Sequence, residues 1–72
     1  MKEFEVTYYI SDEDTGYLFV KKFFGSEISN IHYQVVRELT DNKGVWREVP
    51  DMHMLLFIPE RRIDSITIKE IE

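Results

Sequence analysis

Asp51-Met52-His53-Met54 places an imidazole between two thioethers, a soft donor set of the kind that holds copper(I). In extended chain Met52 and Met54 share a face that His53 does not, so the donors converge only in a loop. The simpler assignment is core methionines beside a surface histidine. Asp12-Glu13-Asp14-Thr15-Gly16 carries alternate carboxylates and then glycine, as a calcium loop begins. It lacks the third acidic residue in phase, the glycine one place later and the distant bidentate glutamate, so it reads as a solvated hairpin turn. Serines stand at 11, 26, 29 and 65 and histidines at 32 and 53, in no spacing that builds a nucleophile with its base. Among fourteen acidic residues a carboxylate pair is always available and therefore uninformative. A chain of 72 residues also has little wall for a deep pocket, so neither enzyme, cofactor nor metal site is expected.

The aromatic residues suggest a different chemistry. Tyr9 falls on the outward parity of the first strand, Tyr33 on the polar side of the expected helix, and Trp46 among charges with Arg47 beside it. Tyrosine, tryptophan and arginine dominate binding hot spots because each offers a large, partly polar contact surface. With Leu55 and Phe57 these four are the candidates for a protein interface. His32 falls on the helical face near Ile28, Val35 and Val36, where a histidine packs its ring at the boundary of the core.

The elements that would position these residues follow from periodicity. Phe4, Val6, Tyr8 and Ile10 share one parity and Glu3, Glu5, Thr7 and Tyr9 the other, a strand with one buried face. The turn-forming run Ser11 to Gly16 separates it from a second apolar segment, Tyr17 to Phe24, so the two should pair as an antiparallel hairpin. Over Ser26 to Asn42, Ile28, Ile31, Val35, Val36 and Leu39 follow helical spacing, with Ser26 as N-cap and Asn42 or Gly44 as the left-handed terminator. A hairpin turning at Asp41-Asn42-Lys43-Gly44 is the competing parse of that segment. Val45 to Val49, Met52 to Ile58 and Ile63 to Ile71 then read as strands, divided by Pro50-Asp51 and by Pro59 to Arg62. In the last of these, Ile66 and Ile68 take one face while Ile63 and Ile71 take the other. The expected fold is a single α+β domain over 1–72, a mostly antiparallel sheet with one helix in the order ββαβββ. The alternative is an all-β SH3-like or OB-like small barrel.

Two segments are apolar on both faces. In Met52 to Ile58, Met54, Leu56 and Ile58 point one way and Leu55 and Phe57 the other; in the second strand Leu18, Val20 and Phe24 oppose Tyr17, Phe19 and Phe23. Such strands are usually central and covered on both sides. One helix covers one side only. The other needs closure into a barrel, a second copy of the chain, or a different protein docked on an apolar and aromatic patch.

Composition narrows the partner. Hydrophobic residues make up 43% and charged residues 32%, a globular balance. There is no cysteine, hence no disulfide or thiolate site, and the first residues lack the pattern of a signal peptide. These features fit a cytoplasmic protein without membrane attachment. A formal charge of -5 disfavours direct binding to nucleic acid, and the pairs Lys21-Lys22 and Arg61-Arg62 read as ordinary solvated surface. The expected function is a non-enzymatic protein-binding or assembly domain, with a homodimer as one form of it. The alternative is an acidic inhibitor, of the size and character found in phages and mobile elements, that sets Asp12, Glu13, Asp14 and other carboxylates in a partner's nucleic-acid groove.

Overall fold

The computed structural model describes residues 1–11 and 16–71. Asp12 to Thr15, on which the calcium-loop reading fell, lie outside the described residues. Among the described residues the order is β1 (Lys2–Ser11), β2 (Gly16–Gly25), α1 (Ile28–Asn42), β3 (Gly44–Val49), β4 (Met54–Pro59) and β5 (Ile63–Ile71). Short 3-10 turns, Pro50–Met52 and Glu60–Arg62, precede β4 and β5. This is the α+β arrangement ββαβββ.

The alternation in β1 decides the architecture. Phe4, Val6, Tyr8 and Ile10 are all buried, and β1 is the middle strand of an antiparallel sheet ordered β2-β1-β5. Tyr8 pairs with Phe19 across the ladder and their rings stack at 4.8 Å, while Val6 pairs with Ile68. α1 lays Ile31 and Val35 on this face, and Val45 and Ile58 of the β3–β4 ladder complete the core. The helical period is correct, but the buried stripe is narrow. Ile31, Val35 and Leu39, four residues apart, face inward, whereas Ile28 and Val36 remain exposed.

Several local expectations are revised. The sheet does not close into a barrel; β3 and β4 form a separate ladder of two strands. β2 and β4 are therefore edge strands, and their second apolar faces are open rather than covered. β5 shifts register between Tyr9 and Ile10, so that Ile63 comes opposite Ile10 and joins Ile66 and Ile68 against the core. An extra residue on one strand of a ladder reverses parity, which strict alternation cannot anticipate.

At the start of α1 the N-cap is Glu27, not Ser26: the Glu27 backbone N–H donates to Asn30 Oδ1 at 2.9 Å, and the Ser26 hydroxyl bonds the same oxygen at 2.7 Å. At its end Lys43, not Asn42 or Gly44, takes the left-handed conformation, with φ 57°. Gly44 is needed for space instead. A Cβ there would collide with the Ile58 carbonyl oxygen and lie 2.7 Å from the Phe57 ring.

Candidate protein-interaction surface

The β3–β4 hairpin begins at that glycine, where β4 approaches too closely for a side chain. Antiparallel pairing puts directly opposed residues on one face. Val45 with Ile58, Arg47 with Leu56 and Val49 with Met54 form the inner face, and Trp46 with Phe57 and Glu48 with Leu55 form the outer one. The inner face is fully covered only at its Gly44 end, where Val45 and Ile58 are buried; Arg47 and Val49 are half-buried. Farther along, the Arg47 guanidinium carbon sits 5.3 Å from the centre of the Phe19 ring and 6.0 Å from that of Tyr17. This docks the hairpin on β2 by cation–π contact.

On the outer face the Trp46 and Phe57 rings lie 5.1 Å apart and tilted, with Leu55 two residues along. Leu55 is 61% exposed, Trp46 44% and Phe57 37%, so three large apolar side chains face solvent together on the outer face, while Met54 and Leu56 are exposed on the inner one. Isolated exposed apolar residues are ordinary; a contiguous group marks a surface built to be covered.

The Lys21 ammonium fixes the hairpin relative to the rest of the fold. It donates to Glu38 Oε2 of α1 at 2.9 Å and to the Trp46 carbonyl oxygen at 3.2 Å, joining β2, α1 and β3. Lys21 and Lys22 thus do not act as a basic pair: consecutive strand residues point to opposite faces, and Lys22 lies 3.8 Å from Glu3 on the open side of the sheet. Beneath Glu38 the Tyr8 hydroxyl is buried without a hydrogen-bond partner, and burial, aided by the Glu38 charge, pushes its pKa well above the usual value.

No protein-family model matches the chain, and neither a curated protein nor a solved structure is returned as similar to it.

Of the six interface candidates, Trp46, Leu55 and Phe57 come together on the outer face of the hairpin. The others stand apart. Arg47 turns inward to Tyr17 and Phe19. Tyr9, opposite Leu18, belongs to the open face of the large sheet. Tyr33 is exposed on α1, where its hydroxyl accepts from Arg37 Nη1 at 3.2 Å. Met52 and Met54 are exposed rather than core, and so is Leu56; parity alone does not tell which residues of an apolar run a fold leaves open. Met52, at 66% exposure, ends the 3-10 turn, and His53 follows in the left-handed region with φ 50°. The concavity beside His53, lined by Glu48, Pro50, Met54 and Leu55, is open to solvent, and His32 is itself exposed. No helix among the described residues is long and apolar enough to cross a membrane.

Proposed function

We propose that this chain is a small non-enzymatic protein-binding or assembly domain acting through the β3–β4 hairpin, with Trp46, Leu55 and Phe57 as its anchors. One observation supports this reading above the rest: β4, an apolar strand without a charge, is open both on its outer face and along its free edge. Aromatic and aliphatic groups held on a paired ladder lose little conformational freedom on binding, which favours affinity from a small area. The surrounding charge contributes solubility and steering. A cysteine-free chain needs no oxidising compartment, and the cytoplasm is the site of action we infer.

The alternative, an acidic occupant of a nucleic-acid groove, calls for carboxylates gathered on one face. Among the described residues they are dispersed over β1, α1, β3, both 3-10 turns and β5, and Glu3, Glu38, Asp41 and Glu70 are each paired with a cation. Asp12, Glu13 and Asp14 lie outside the described residues.

The test is retention by the immobilised chain, offered both a soluble extract and free copies of itself, compared with a Leu55→Asp variant whose circular dichroism shows the same fold. The wild type should retain at least one protein that the variant does not. Equal retention by the two would sink the reading.

A further inference from the structure

Of the strands with a free edge, β4 alone carries no charge. β2 has Lys21 and Lys22, β3 has Arg47 and Glu48, and β5 has Asp64, Lys69 and Glu70, whereas β4 reads Met-Leu-Leu-Phe-Ile-Pro. Charges on an edge strand guard against pairing with another chain, because a strand that adds there must bury or oppose them. β4 lacks that guard. It pairs with β3 alone, so one row of its backbone N–H and C=O groups has no ladder partner.

The ends of the hairpin indicate what pairs with that row. Glu48 and Asp51 stand exposed where β3 turns into β4, and Lys43, Arg61 and Arg62, with Glu60, stand exposed at the opposite end. None of these six takes part in an ion pair among the described residues. The hairpin is thus negative at one end and positive at the other. Antiparallel alignment with an identical hairpin places each end beside its opposite; parallel alignment places like on like.

We propose that β4 pairs edge to edge with β4 of a second copy, antiparallel about a two-fold axis at Leu56, to give the four-stranded sheet β3-β4-β4-β3. This deepens the protein-binding reading above and rests on it. The register brings Leu56 beside the copy's Leu56, Leu55 opposite the copy's Phe57 and Met54 opposite the copy's Ile58, with the Asp51 end beside the copy's Arg61 end. Apolar cross-strand pairs replace exposed ones on both faces, and the ladder hydrogen bonds supply direction. The contact is isologous and closes at two copies, since each β4 has a single free edge.

Two measurements test it. Sedimentation from low micromolar to several hundred micromolar should show a species of twice 8.7 kDa that Leu55→Asp weakens by at least about tenfold. Directly opposed strand residues have Cα atoms about 4.5–5.5 Å apart, within disulfide reach, so Leu56→Cys thiols in this cysteine-free chain should oxidise to a covalent dimer. Glu48→Cys thiols, on the far strand of each hairpin, should not. A monomer throughout the range overturns the proposal. So does a dimer that links through Glu48→Cys rather than Leu56→Cys. If the chain is monomeric yet retains another protein in a Leu55-dependent way, the second copy fails and the protein-binding reading stands; loss of both ends both.

Discussion

At the residue scale, Tyr8 and the Lys43-Gly44 pair combine a packing role with a local cost. The Tyr8 ring stacks on Phe19 while its hydroxyl is buried without a partner, a state that costs about 1–3 kcal/mol. Tyr8→Phe keeps the stack and removes the orphan, and thermal unfolding should show it more stable by about 1 kcal/mol. The pH dependence has a definite sign. The folded state raises the phenol pKa, so below the ordinary value of 10.0 the proton is held in both states and stability is unaffected. Above it the unfolded chain ionises first, and stability falls as pH rises. Melting temperature should therefore drop more steeply above pH 10 for the wild type than for Tyr8→Phe, and parallel curves would refute the assignment. Lys43, left-handed without being glycine, carries about 1–2 kcal/mol of strain, against about 0.5–1 kcal/mol for the added freedom of glycine. Lys43→Gly should gain about 0.5 kcal/mol in denaturant titration. Gly44→Ala should lose about 3 kcal/mol, because β4 must retreat from the new methyl group.

At the element scale, what was legible in the sequence depended on whether one face of an element is buried. β1, with apolar and polar residues in strict alternation, was readable directly, and so was the helical period of 28–42. β2 and β4 were recognised as strands with the correct side-chain parity, but their position was not, because parity is blind to whether a second face is covered or open. Ile63 was assigned to the wrong face because of the irregularity opposite Tyr9 and Ile10. Of the candidate surface, Trp46 was legible from its residue type and Leu55 and Phe57 from the apolar run of β4, and their convergence required the register of β3 on β4. The role of Lys21 was hidden for the same reason. Its partners Glu38 and Trp46 lie far along the chain, and only the fold brings α1 and β3 to its ammonium. Lys21→Met, which retains the aliphatic stem, leaves Glu38 half-buried without its cation and should lower stability by about 1–2 kcal/mol. Amide exchange should quicken in the β3–β4 hairpin more than in β1, since Lys21 is one of its ties to the sheet.

At the scale of the whole molecule, a small core and an uncovered hairpin belong to one energetic problem. Among the described residues nine buried apolar side chains form the core, and the exposed apolar side chains of the hairpin add nothing to it until something covers them. Mass action then couples folding to assembly: with the proposed pairing, melting temperature should rise with protein concentration in the wild type and stay constant for Leu55→Asp. The middle strand has a consequence in time as well. β1 meets β2 nearby in the chain, but its other edge pairs Glu3 with Ile71, so synthesis must run through β5 before the sheet can close. Until then a nascent β1–β2 hairpin offers an unpaired edge beside an apolar face, the state in which strands find wrong partners. Late, long-range closure also slows folding relative to a helical chain of equal length. Of the strands in its sheet, the one that anchors the core is the first to be made and the last to be completed.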